Sequence, residues 1–110
     1  MIVKASHCFY SAKWSEPQYD GDDAESYLNL VIEKMPFVEA KNLSEALEKA
    51  FNYILLHPSE FTFQGIYLYT TKERPQIQLD YFRKYLHKTP PPTPLAGYHW
   101  ITVEPVEVIS

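Results

Sequence analysis

Along the chain the apolar residues change period several times, and each change marks an element. From Ile2 to Lys13, β-branched, aromatic and small residues alternate without a turn former, placing Val3, Ala5, His7 and Phe9 on one face of an extended chain. That pattern predicts a strand. Trp14 to Gly21 breaks it with Pro17, Gly21 and acids, and reads as a loop. Asp22 and Glu25 then stand at capping-box spacing ahead of Tyr27, Leu28, Val31, Ile32 and Met35, an i, i+3/i+4 pattern that ends at Pro36. This predicts a helix over 22–35, preferred to the strand that the alternation of Leu28, Leu30 and Ile32 would also allow.

A second helix follows from firmer signals. Asn42 and Glu45 repeat the capping-box spacing, Leu43, Leu47, Ala50 and Ile54 form one stripe, and Pro58 stops the run. From Phe61 to Thr71 the period is that of a strand, with Phe61, Phe63, Tyr67 and Tyr69 on one face and Ile66 and Leu68 on the other. Gln76 to His87 favours a helix over a strand, with Leu79, Phe82 and Leu86 in line. The prolines of Thr89 to Pro94 fix an extended connector, since each ring removes a backbone donor and sets φ near −65°. Tyr98 to Ile109 is β-rich but interrupted by Pro105, which suits an edge strand or a bend. The resulting expectation is an α+β fold: a small sheet of roughly three to four mostly antiparallel strands with two to three helices packed on it.

Length and composition bound this picture without changing it. A chain of 110 residues, 45% hydrophobic and 22% charged, reads as a single domain over 1–110 with enough apolar surface to fold. No apolar run approaches the ~20 residues of a membrane span, and the first residues lack the plan of a signal peptide. A lone cysteine, Cys8, cannot form an intramolecular disulfide. A soluble protein of the cytoplasm, with no membrane partner, is the expectation.

Charge is divided unevenly along the sequence. Net charge is −4, yet Trp14 to Glu25 holds five acids (Glu16, Asp20, Asp22, Asp23, Glu25) and no base. Lys72, Arg74, Arg83, Lys84 and Lys88 face only Glu73 and Asp80 between 72 and 88, a local +3. Such asymmetry bears on partners and not on fold.

Motifs for chemistry are scarce. The three glycines, Gly21, Gly65 and Gly97, cannot build a P-loop or dinucleotide fingerprint, and no G-x-S-x-G occurs. The four histidines and Cys8 show no short metal-ligand spacing, and the acidic loop lacks the calcium-loop pattern. No cofactor and no metal are expected. A Cys8 nucleophile would need His57, His87 or His99 brought to it by the fold, because His7 points to the other face of a strand. Lys88 followed by the proline run matches a polyproline recognition pattern, which a stiff connector explains equally.

Nine tyrosines, six phenylalanines and two tryptophans exceed what one small core readily hides. Surface tyrosine is enriched in interfaces. The leading expectation is therefore a non-catalytic protein-protein interaction module, an adaptor or an inhibitor, a class that includes small acidic inhibitors carried by phage and mobile elements. Its partner-binding residues would be Trp14, Tyr19, Asp20, Asp22, Asp23, Tyr67 and Tyr69. An alternative is nucleic-acid binding through Arg74, Tyr81, Arg83, Lys84, Tyr85 and Lys88, which interleave bases with aromatics. The third is an enzyme with a Cys/His site outside any motif. Partner identity and oligomeric state do not follow from sequence.

Overall fold

The structure, a computed structural model, describes residues 1–14, 26–64, 69–70 and 75–107. It is an α+β fold. Strand β1 (Ile2–Trp14) runs antiparallel to β2 (Ser26–Lys34), and after a bend β3 (Val38–Glu39) returns to pair the start of β1. Helix α1 (Leu43–Leu56) follows, then a 3-10 turn at Pro58–Glu60 and the short strands β4 (Phe63–Gln64) and β5 (Tyr69–Thr70). Helix α2 (Pro75–Tyr85), β6 (Leu86–His87) and β7 (His99–Pro105) complete the chain. The main sheet has the order β2-β1-β7-β6, with β3 beside β2 on the same edge of β1, while β4 and β5 form a separate two-stranded sheet.

Local chemistry explains α1 directly. The Asn42 side chain accepts the Glu45 backbone N–H at 2.8 Å, as a capping residue should. Ala46, Ala50 and Ile54 form its buried stripe, and the two alanines let the helix approach the sheet closely. The core lies between this face of the sheet and the helices, built from Ala5, Met35, Ala50, Ile54, Phe61, Phe63, Phe82, Leu86 and Ile101. Val3, Ala40 and Ala46 extend it under the start of β1. Gln78, buried on α2, donates to the carbonyls of Pro58 and Phe61 and so ties that helix to the 3-10 turn.

Two expectations are corrected. The helix over 22–35 is absent from 26–34, which is strand β2 and pairs with β1 at every residue from Ser26↔Trp14 to Lys34↔Ser6; residues 22–25 lie outside the described residues. A helical stripe there would need a core to face, but Tyr27, Leu28, Leu30 and Ile32 are all exposed, and the nine-residue ladder outweighs any local propensity. The strand over 61–71 is not continuous: β4 and β5 pair with each other antiparallel, outside the main sheet. Residues 65–68, Gly65 among them, fall between them. The edge read at Pro105 is found: β7 is an inner strand only at His99 and Trp100, where β6 pairs it in parallel. Past Trp100 its outer side is unpaired among the described residues, and Pro105 sits there, opposite Val3, where a missing donor does no harm.

The β1–β2 hairpin outruns the rest of the sheet. β7 accompanies β1 only as far as Phe9↔His99, with a last bridge at Tyr10↔Ala96. Beyond it, Ser11–Trp14 and Ser26–Asn29 continue as a two-stranded ribbon, in a molecule measuring 60 × 35 × 23 Å.

Candidate functional site

Strand alternation separates the two faces of the sheet. Val3, Ala5, His7 and Phe9 point to the helices, so Lys4, Ser6, Cys8, Tyr10 and Ala12 point away from them. The registers carry Leu28, Leu30, Ile32 and Lys34 of β2, and Trp100, Thr102 and Glu104 of β7, onto that outer face. None of these residues belongs to the helix-covered core. Trp100 is nevertheless buried, with Tyr10 and Tyr98 beside it at 5.3 and 6.0 Å between ring centres. Leu28, Leu30 and Ile32 remain 40, 46 and 55% exposed. They form an aliphatic row along the edge strand, ending at a shallow trough lined by Lys4, Ser6, Ile32, Lys34, Thr102 and Glu104.

The covered face holds a polar chain that sequence reasoning did not assemble. Glu33 Oε1 lies 2.9 Å from His7 Nδ1, and His7 Nε2 lies 2.9 Å from His99 Nδ1. Thr62 donates to both carboxylate oxygens of Glu33, from its backbone N–H and its hydroxyl. At the other end His99 Nε2 sits 3.0 Å from the Gln64 N–H nitrogen and 2.8 Å from the Gln64 carbonyl oxygen. With both imidazoles neutral the chain closes in one direction: His7 Nδ1–H donates to Glu33, His99 Nδ1–H donates to His7 Nε2, and the Gln64 N–H donates to His99 Nε2. One further proton reverses the inner links, and His99 Nε2–H then donates to the Gln64 carbonyl.

Aromatic rings enclose this chain. Phe9 and Phe63 stack on His99 at 4.8 and 4.4 Å, while Phe61 and Phe82 meet His7 edge-on at 5.9 and 5.3 Å. Both imidazoles are wholly buried. Burial, reinforced by His7 alongside and slightly by His87, lowers the His99 pKa to about 3 against the smaller opposing pull of the Gln64 carbonyl and Glu33. Neither ring is open to solvent in this arrangement. The chain instead cross-links β1, β2, β7 and β4 through hydrogen bonds in a low-dielectric box.

Cys8 is not poised for nucleophilic chemistry. It is buried on the face opposite His7 and His99, its Sγ is 3.8 Å from Thr102 Oγ1, and burial pushes its thiol up. His87 stacks on Tyr98 at 4.2 Å, and His57 Nδ1 meets the Tyr53 carbonyl at 3.0 Å. Among the described residues no cluster of three or more His, Cys, Asp or Glu side chains could hold a metal ion.

Of the expected partner-binding residues, Trp14 is the last of β1 and Tyr69 lies in β5, whereas Tyr19, Asp20, Asp22, Asp23 and Tyr67 lie outside the described residues. Topology makes the acidic segment the connection between the two strands of the ribbon. Of the basic set, Arg74 lies outside the described residues. Arg83, Lys84 and Tyr85 are exposed in the last turn of α2, where the two bases complement the helix dipole. Tyr81 is half-buried against Phe63 at 5.2 Å, and Lys88 is engaged by Glu48 and the Phe51 ring. The aliphatic row of β2 had a visible signal in the alternation of Leu28, Leu30 and Ile32, but not one that told inside from outside. No family model matches the chain, and no curated protein or solved structure matches it.

Proposed function

We propose that this chain is a non-catalytic protein-interaction module, an adaptor or an inhibitor, whose contact surface is the outer face of β2 and the ribbon it forms with β1. The observation that carries this reading is the row of Leu28, Leu30 and Ile32, exposed on a sheet face that neither helix covers. Covering a half-exposed aliphatic side chain stabilises a complex by about 1 kcal/mol, so the row offers ~3 kcal/mol before any polar contact. Tyr10, paired with Leu30 on the same face, flanks it with a broad amphipathic ring, a side chain that interfaces favour. The five acids joined to the ribbon add a local negative field that speeds encounter with a basic partner. Within the folded chain the buried thiol and the enclosed imidazoles offer no reacting atom to a substrate.

Photo-crosslinking in the source cell tests the reading. A benzophenone amino acid in place of Leu28 should give a discrete adduct with a second protein, and one in place of Leu56, exposed on α1, should not. Identical adduct patterns from the two positions, or none from either, would count decisively against an interaction surface on β2.

A further inference from the structure

We infer that the free edge of β2 pairs with β2 of a second copy of this chain, antiparallel about a two-fold axis at Leu30. The inference deepens the interaction reading above and rests on the same exposed strand. β2 is the end of the strand order, and among the described residues nothing pairs with its outer side over nine residues. Such an edge is normally blunted by an inward charge, a proline, a bulge or a covering segment. The one inward charge, Glu33, is taken up by His7 and Thr62; between Tyr27 and Ile32 there is no charged residue, proline or glycine, and the ladder to β1 runs without a bulge.

The sequence of β2 is complementary to itself in this orientation. Pairing about Leu30 sets Leu28 against Ile32 of the other copy, Leu30 against Leu30, Asn29 against Val31 and Tyr27 against Glu33. No like charges meet. Lys34 comes opposite Ser26, the residue that directly follows Asp22, Asp23, Ala24 and Glu25 in the sequence. Lys4 and Lys34 are exposed side by side on the trough and form no ion pair among the described residues. The end of β2 that follows the acidic stretch in sequence thereby meets the basic end of the other copy, which answers the repulsion expected between two chains of net charge −4. Pro36 closes the ladder at its end. The two aliphatic rows would become one continuous band on a sheet of twice the width.

An interface of a single strand pair lies at the narrow end of specific contacts, so association at about tens of micromolar is expected. Sedimentation velocity on the full chain over ~1–200 µM should show mass rising from monomer to dimer. Leu30→Lys, which sets two ammonium groups face to face on the axis, should remain monomeric with an unchanged circular dichroism spectrum. A second readout is independent of that variant: Leu30→Cys should form an intermolecular disulfide at least ~10-fold faster than Leu56→Cys, because facing residues of an antiparallel pair come within bridging distance. Wild-type chain that stays monomeric throughout, or Leu30→Cys that oxidises no faster than Leu56→Cys, would overturn the pairing. If the chain is monomeric while the Leu28 crosslink to a different protein persists, the pairing fails and the interaction reading stands. If the dimer forms and Leu28 yields only adducts of twice the chain mass, the pairing stands and the foreign partner fails.

Discussion

Acidification tests the buried histidine chain, and the effect can be worked from His99. In the unfolded chain its imidazole titrates near 6.5, whereas in the folded protein burial and His7 hold it near 3. Below pH 6.5 the unfolded state therefore binds a proton that the folded state refuses, and stability falls as pH falls. The loss is negligible above pH 7, grows through the window from 6.5 to 3, and stops increasing below about 3. At pH 5 it is about 1.5 × 1.36, or ~2 kcal/mol, which lowers the melting temperature by roughly 8–16 °C in a domain of this size. Carboxylates also titrate on the acid side, so the informative quantity is a difference. Urea unfolding at pH 7.5 and pH 5 on wild type and on His99→Gln should show the variant losing ~2 kcal/mol less between the two. Nitrogen-detected NMR of the wild type should show His99 neutral at pH 5. Equal pH sensitivity in both proteins, or a His99 ring that titrates near 6.5, would refute the account.

Other expectations follow from burial. Asn42→Ala removes the bond to the Glu45 N–H and should lower stability by about 1 kcal/mol in denaturant unfolding. Phe82→Ala empties a wholly buried site against both His7 and Phe63 and should cost about 3–5 kcal/mol, enough to leave much of the population unfolded. Native Cys8 should resist a thiol-specific reagent at neutral pH and react on addition of denaturant; rapid labelling of folded protein would show the thiol accessible after all. Leu28→Lys with Ile32→Lys should leave stability within about 1 kcal/mol of wild type, because both side chains are already half in water.

The parts of the fold that were legible in sequence are those whose causes are local. Asn42 and the stripe of Leu43, Leu47, Ala50 and Ile54 specify α1 within a few residues, and the capping bond forms as the spacing required, although Leu43 is exposed and Ala46 joins Ala50 and Ile54 in the core. β1 is equally plain because its alternation sorts Val3, Ala5, His7 and Phe9 to one face. α2 is found one residue before and two residues short of the span read from its stripe, ending at Tyr85 so that Leu86 and His87 can pair with β7. β2 was misread because its apolar residues fit both periods, and the deciding partner, β1, lies across the acidic segment. The histidine chain was beyond reach for the same reason on a larger scale: Glu33 is 26 residues from His7, and His99 is 92. Nothing in the neighbourhood of any one of the three announces the other two.

The misreading of β2 and its proposed role have one physical origin. Residues selected only to complete this fold would be sorted by β2 as they are by β1, with apolar side chains under the helices and polar ones outside. β2 instead buries only its continuation at Met35, turns Glu33 inward to the histidine chain and leaves Leu28, Leu30 and Ile32 outside. Its inner, more polar face serves the fold through one carboxylate, while its aliphatic row contributes little to folding. A two-stranded ribbon beyond Tyr10 is marginal by itself in water, and the uncovered aliphatic row that starts there at Leu28 and runs back over Leu30 and Ile32 is a cost unless something covers it. The inverted pattern thus separates two demands on one strand: Glu33 anchors it to the core, and the row outside is left for whatever docks on the sheet.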